Sequence, residues 1–430
     1  MLKNVFKKIT TALIASAMVF SVVGCGNSTD NSGSGDAKTD EKVTIKFATY
    51  GLLEKATEQF YTKMASDFEA ENPDIKIEFI SYPYGDLKQQ VLVMANAGDA
   101  PDVVHGETSS FNAYVSSGYL EPLDELLSKE YIDDIYPGVK DAMSADGKLY
   151  AAPWICSPYV MVYNKDLFEQ AGLDPNAPPK TYEEMVDYAE KISQLKDKDG
   201  NSVYGLGETT ASVPISGNSV LSVMFSYGGG IYNDKGEVDV NTQQNIDAFN
   251  FLKEIYTNKL NPETAKLKDL RNLMAIGRLG MYFDQVWGTS GVFGINPEIK
   301  EKVAIAPMPA TKATEGLSLL EAHELLIMKD SKNKEAAAKF VQFATSEKVL
   351  QEYYNTLPFL PGTKSVELTG EFISPIKDSL NGVKALAKQN PNMENALLEI
   401  TSAVQAATIG NESTEDAVKK LDAKLKEILK

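Results

Sequence analysis

Carboxylates are abundant in this chain, 60 among 430 residues, whereas histidine occurs only twice. The scarce residues therefore carry more information than the common ones. The histidines are His105, in the run His105-Gly-Glu-Thr-Ser109, and His323, in Glu321-Ala-His-Glu324. A lone histidine is usually a satisfied structural residue, but an imidazole beside a carboxylate can also hydrogen-bond a polar ligand. Glu321 and His323 alternate around Ala322, so an extended backbone puts both on one face. Thr49, Tyr50 and Gly51 follow the alternating run Val43-Thr-Ile-Lys-Phe-Ala48. They thus lie at the carboxyl end of a strand, where open α/β sheets place ligand contacts, and Tyr50 is the best suited of the three. Tyr82 and Tyr84 follow a second such run, and Gln89 comes about one helical turn after Tyr84, a spacing that can set Tyr84 and Gln89 on one face. The plainer reading is a surface pair of tyrosines.

Catalytic chemistry has little support. Two carboxylates suited to glycoside hydrolysis can always be found among so many, so their presence decides nothing. The sequence has no His-Glu-x-x-His, no Gly-x-Ser-x-Gly in strand-to-helix context and no phosphate loop. Asp197-Lys-Asp-Gly-Asn201 has part of the spacing of a calcium loop, but Ser202 stands where an EF-hand needs glycine, and a hairpin turn is expected. No catalytic residue, metal or cofactor is expected, and a carbohydrate-active hydrolase is the weaker alternative.

The formal net charge of −18 argues against a nucleic-acid partner. Arg271 and Arg278 are the only arginines, and guanidinium forks are the usual receptors for carboxylate and phosphate, so a neutral or cationic ligand is expected. Lys3, Lys7 and Lys8 precede an apolar run from Thr11 to Val23. This is the composition of a signal peptide, and the run is too short to remain as a membrane span. Val22-Val-Gly-Cys25 is similar to the bacterial lipobox, in which the cysteine is acylated and becomes the first residue. Residues 1–24 are thus expected to be a lipoprotein signal peptide, with Cys25 anchoring the chain to the outer face of the cell membrane. Residues 25–42, rich in Asn, Ser, Gly and Asp, then form a flexible tether. Lipid on Cys25 leaves Cys156 without a partner, so Cys156 is expected to be a small packed hydrophobe.

The remainder, with 43% hydrophobic residues overall, is long enough for two lobes. Phe60, Met64 and Phe68 recur at helical spacing between the two alternating strands, and Asn72-Pro73 ends that helix, which makes a βαβ unit and a parallel sheet. A helix from Gly85 to Ala97 and a strand beginning Asp102-Val-Val104 continue the pattern. Thr181 and Glu184 form a capping-box pattern, Gly147 suits a hairpin tip, and the last ~55 residues read as mostly helical.

Several separated blocks resemble the extracellular solute-binding proteins typified by maltose-binding protein. They are Gly98-Asp-Ala-Pro-Asp-Val-Val104, Gly118-Tyr-Leu-Glu-Pro-Leu-Asp124, Gly147-Lys-Leu-Tyr-Ala-Ala-Pro-Trp154, Tyr163-Asn-Lys-Asp-Leu-Phe168, Gly280-Met-Tyr-Phe-Asp284 and Ala306-Pro-Met-Pro309. Their order and spacing span nearly the whole sequence after the tether. The resemblance implies an α/β, two-lobe periplasmic-binding-protein-like fold of type II, with parallel-rich sheets flanked by helices and a cleft between the lobes. It implies crossings near Pro153, Ala306 and Ser346, so that 43–153 with 306–346 form one lobe and 154–305 with 347–430 the other. It also implies a monomer that binds a sugar, closes on it and delivers it to the permease subunits of an ABC importer.

Sugars present apolar C–H faces ringed by hydroxyls, which calls for aromatic platforms with acidic or neutral hydrogen-bonding groups. Trp287 matches the family's stacking tryptophan, Ser157 a polar contact, and Trp154 follows the hinge proline. Tyr227 and Gly229 fall at the family's glycine turn, Asp284 ends its second-lobe motif, and His105, Glu107, Glu321 and His323 fall beside the cleft. Two departures stand out. Gly106 replaces an aromatic residue common in relatives, and Glu321 to Glu324 replace a glycine-rich stretch. The acidic groups also suit a cationic cargo such as a polyamine, which is the alternative ligand class.

Overall fold

The computed structural model describes residues 42–430, apart from 234, 386–389 and 391. The leader, Cys25 and the tether lie outside the described residues. Strands β1 (Val43–Thr49) and β2 (Ile75–Ser81) pair in parallel from Val43↔Ile75 to Thr49↔Ser81. The helix Glu58–Glu71 between them buries Phe60, Met64 and Phe68, the expected stripe, together with Tyr61. After the helix Leu87–Asn96, β3 (Val103–Glu107) pairs in parallel with the other edge of β1. Ser144–Ala145 (β4) and Lys148–Leu149 (β5) form a hairpin turned by Asp146 at φ 49° and Gly147 at φ 76°, the left-handed region that a two-residue loop requires.

The longest strand, β6 (Ala151–Asn164), is buried along its whole length. It is followed by β7 (Tyr204–Gly207), β8 (Leu279–Gln285), β9 (Val303–Ala306), β10 (Ser318–Ile327) and β11 (Val383–Ala385). The sheet runs β2-β1-β3-β10-β6-β8-β7, with β11 added beside β10 and β9 beside β6. Residues 151–158 of β6 pair antiparallel with β10, and residues 159–163 pair antiparallel with β8. One strand thus serves two half-sheets, and the change of partner falls at Pro158/Tyr159 rather than near Pro153. A proline, which has no N–H to donate, suits that change of ladder.

Side chains of the second half of β6 alternate between two cores. Val160 and Val162 join the core that also holds Phe47, Trp154 and Phe340, while Tyr159, Met161 and Tyr163 join one with Phe168, Met224 and Phe249. The segment after Ser346 departs from expectation. Tyr353 of the helix Glu347–Tyr354 stacks on Phe60 at 4.2 Å, Leu360 bridges to Cys156, and β11 pairs with β10. Residues 347–385 therefore pack on the β1-β3-β10 half, because their apolar side chains complete its core. The helices Met393–Thr408 and Thr414–Ile428 pack against the second core, as their apolar stripes require.

Thr181 caps the helix Tyr182–Ile192 by accepting from Glu184 N, but the Glu184 carboxylate accepts from Lys180 N rather than from Thr181 N. Cys156 is a buried free thiol. No helix among the described residues is long and apolar enough to cross a membrane.

Candidate functional site

Antiparallel pairing of β3 with β10 sets His323 opposite Glu107 and Leu325 opposite His105. The two histidines are therefore diagonal neighbours on one face, within reach of each other. His105 Nε2 lies 3.1 Å from His323 Nδ1. On its other side, His105 Nδ1 lies 3.0 Å from Thr49 Oγ1 and 3.1 Å from Tyr61 Oη. The Tyr50 ring stacks on His105 at 4.5 Å, and its hydroxyl is 3.3 Å from His323 Nδ1. Tyr84, 59% exposed, meets Tyr50 edge-on at 5.1 Å and donates to Glu107 Oε2 at 3.0 Å. From the other half-sheet, Trp287 brings its ring 5.2 Å from that of His323. These rings form an aromatic wall with mixed polar tips. Burial lowers the pKa of both imidazoles, His105 well below its usual range with help from His323, and Glu107 only partly offsets the effect at His323.

Beside the rings lies a polar corner. Glu321 accepts from Asn218 Nδ2 at 2.8 Å and from Thr108 Oγ1 at 3.4 Å. Asn218 and Ser219 are on the buried helix Pro214–Ser226, and Glu208 follows the end of β7. The two carboxyl oxygens of Glu208, Ser219 Oγ and Asn218 Oδ1 are all buried without a hydrogen-bond partner. Tyr159 Oη, which accepts from Gln285 Nε2 at 3.1 Å, feels the charge of both Glu321 and Glu208. Burial pushes Glu208 up to about 8, only partly offset by Ser219 and the Thr209 N–H, which lie nearby but do not reach hydrogen-bond geometry with it. Burial and then the Glu107 charge push Glu321 up to about 7. On the opposite face of β10, paired with Gly106, Glu324 is fully buried with neither oxygen paired and is raised well above the carboxylate range by burial, Glu107 and Glu321. Its chain occupies the space over Gly106, where an added Cβ would lie 3.0 Å from Glu324 Cγ and 2.7 Å from Leu326 Cδ1. The two departures from the family pattern thus fit one another. A buried polar atom without a partner costs about 1–3 kcal/mol, which sets these groups apart from the satisfied polar atoms around them.

Of the residues singled out in the sequence, Tyr50, Tyr84, His105, Glu107, Trp287, Glu321 and His323 come together. Thr49 and Ser157 stand behind them. Thr49 is bonded to His105, and Ser157 Oγ accepts from Val286 N at 2.7 Å and so holds the turn that carries Trp287. The others are used elsewhere. Trp154 is fully buried, donates to Ala344 O at 3.1 Å and supports the His105 ring from below. It is the extra residue of a β-bulge, where the β6-β10 register shifts between His323 and Glu324. Asp284 is taken up by a bidentate pair with Arg271 at 2.7 and 2.8 Å and by Tyr282 Oη and Gln285 N. A buried carboxylate needs such partners and has none to spare. Tyr227 packs on Tyr182 in the second core. Gly229 leaves no room for a side chain, since a Cβ there would lie 2.0 Å from Asn245 Oδ1. Gln89 is exposed on its helix.

Sequence reasoning missed Tyr61, Thr108, Tyr159, Glu208, Asn218, Ser219 and Gln285. Glu208 carries the one readable signal, since it follows a strand as Tyr50 does. Among the described residues no three His, Cys, Asp or Glu side chains are arranged to hold a metal ion. Asp197 accepts from Asp199 N, Asn201 N and Asn201 Nδ2, which makes the segment a closed turn. The turn borders a broad outer groove with Asn164, Arg278 and Lys302, away from the aromatic wall.

Residues 53–351 match the sequence pattern of the bacterial extracellular solute-binding proteins. The chain belongs to that family. This solute-binding protein is 26% identical over 366 residues to the arabinooligosaccharide-binding protein of Bacillus subtilis, covering 83% of this chain and 80% of the relative. The sugar-binding protein MalE of Xanthomonas citri has the same fold, with a TM-score of 0.79, 22% identity and coverage of 90% of this chain and 97% of that one. The cyclic alpha-maltosyl-1,6-maltose binding protein of Arthrobacter globiformis agrees similarly, with a TM-score of 0.78 at 18% identity, covering 90% and 99%. The solute-binding protein therefore has the mixed α/β, type II periplasmic-binding fold, and the relatives described are sugar- and oligosaccharide-binding proteins.

Proposed function

We propose that this solute-binding protein is the lipid-anchored, monomeric receptor of an ABC importer, capturing an oligosaccharide between two lobes and delivering it to the membrane permease. One observation carries the reading. Tyr50, Tyr84 and Trp287 offer aromatic faces, while Glu321, Asn218, Ser219 and Glu208 offer hydrogen-bonding groups, several of them buried and unpaired. That combination suits a ligand with apolar C–H faces and a rim of hydroxyls. Relatives that bind arabinooligosaccharides and maltotriose support the same cargo class. The lobes would divide at the change of partner in β6, with residues 347–385 joined to the lobe of β1, β3 and β10.

A thermal-shift panel tests the cargo. Neutral oligosaccharides should raise the melting temperature, by about 3 kcal/mol of added stability at a hundredfold excess over Kd. A response to polyamines alone would overturn the sugar assignment, and cleavage of the added sugar would overturn the receptor role. Anchoring is tested by Cys25→Ala, which should be released into the medium, since one acyl-modified cysteine is the proposed attachment. Retention of the variant in the membrane fraction would refute it.

A further inference from the structure

This inference rests on the sugar reading above and concerns how the chain's only two histidines work together. The 3.1 Å gap between His105 Nε2 and His323 Nδ1 has room for one proton, so the tautomers of the two rings are tied to each other. The far side of His105 decides which pair forms. Its Nδ1 faces the Thr49 and Tyr61 hydroxyls, and Thr49 Oγ1 already accepts from Gly51 N at 3.0 Å. With Nδ1 bare, Tyr61 Oη donates to its one lone pair, while the Thr49 and Tyr353 hydroxyls can both donate to Tyr61 Oη, beside which they lie. With Nδ1 protonated, these hydroxyls must point away from His105, and the last proton of the chain, on Tyr353, meets no other side-chain acceptor among the described residues, which burial makes costly. His105 therefore carries its proton on Nε2 and donates to His323 Nδ1. Tyr50 Oη, 3.3 Å from the same Nδ1, is the longer contact, and its hydroxyl also has the Glu107 carboxylate as an acceptor. His323 must then be protonated on Nε2, to which none of the described residues is bonded. Its ring is half-buried, between the aromatic wall and Trp287.

We propose that Thr49, Tyr61 and His105 are positioning residues forming a directed relay that fixes His323 as a neutral Nε2–H donor, and that this donor binds an acceptor oxygen of the saccharide. Such a donor selects ring, glycosidic or acyl oxygens without placing a charge against the aromatic faces. Burial keeps both rings neutral, which agrees with the relay.

Long-range nitrogen–proton NMR of the exported protein with labelled histidine tests the relay without any ligand, since only two rings contribute. At neutral pH both should show the Nε2–H tautomer. In His105→Leu the His323 ring should become a tautomer mixture, and affinity for the best oligosaccharide of the thermal-shift panel should fall about tenfold, the scale of one lost hydrogen bond. His105→Gln, whose amide can donate from a similar place, should bring affinity back to within about threefold of the original. An Nδ1–H tautomer for His323 in the unaltered protein overturns the proposal, as does a Leu variant with unchanged tautomer and affinity. If the Leu variant does not fold, the unaltered protein's spectrum still decides. If the tautomers are as expected and no saccharide binds, the sugar reading fails and the relay stands.

Discussion

Glu208 and the two histidines respond to pH in opposite directions. Glu208 has a folded pKa raised to about 8 from an ordinary carboxylate value of 4.5. The folded state thus holds its proton more tightly, so the stability contributed is fully present below about pH 4.5 and is lost as pH rises through 8. His323 and His105 have folded values below 6.5, and their contribution is present above that pH and lost as pH falls beneath it. We expect Glu208→Gln to flatten the ligand-free melting profile between pH 4.5 and 8, with the largest relative gain at the alkaline end. Parallel profiles for the two proteins would remove Glu208 as a source of the pH dependence. At the aromatic wall, Trp287→Ala should weaken saccharide binding by about 1–3 kcal/mol, the range for losing a buried aromatic contact, as calorimetry can measure. Unchanged affinity in a folded variant would take Trp287 out of the site. Tyr50 was legible in the sequence because it ends a strand with clear alternation. Glu208 ends a strand too, but Tyr204–Gly207 is short and half glycine, so the strand itself gave little signal.

Elements, not single residues, account for the other misses. The helix Pro214–Ser226 is buried along most of its length, so its serines and its central Gly217 show no polar face. Ser222 Oγ accepts from Leu319 N, and Ser226 Oγ donates to Leu317 O, which seats the helix beside β10 and brings Asn218 to Glu321. Such side-chain to backbone bonds leave no periodic mark. Asp284 and Arg271 are similar, since the family motif drew attention to the first while its real partner lies on the helix Leu267–Ala275 packed against β8. Arg271→Ala would leave a fully buried carboxylate with only Tyr282 Oη and a backbone N–H, and we expect a loss of about 3–5 kcal/mol in denaturant unfolding. A loss below about 1 kcal/mol would mean that water can replace the guanidinium. By contrast, the βαβ unit, the hairpin at Gly147 and the final helices were readable because local periodicity and tertiary packing agree there.

For the molecule as a whole, the proposed transport role requires motion. A ligand can favour a closed form only through contacts it gains on closing, and Trp287 with His323 and Asn218 with Glu321 are contacts between the two half-sheets. Small-angle scattering should therefore give a smaller radius of gyration with saturating saccharide, while circular dichroism stays constant. Tight binding with no change in shape would count against closure. The 14-residue strand β6 has a further thermodynamic consequence. Each half-sheet takes a ladder of backbone hydrogen bonds from the same strand, and the core holding Phe47 and Trp154 continues through Val160 and Val162. Neither half can melt without stripping partners from the other. Unfolding should thus be one cooperative event, with calorimetric and van't Hoff enthalpies in agreement, although a chain of this size with two lobes would ordinarily melt in stages.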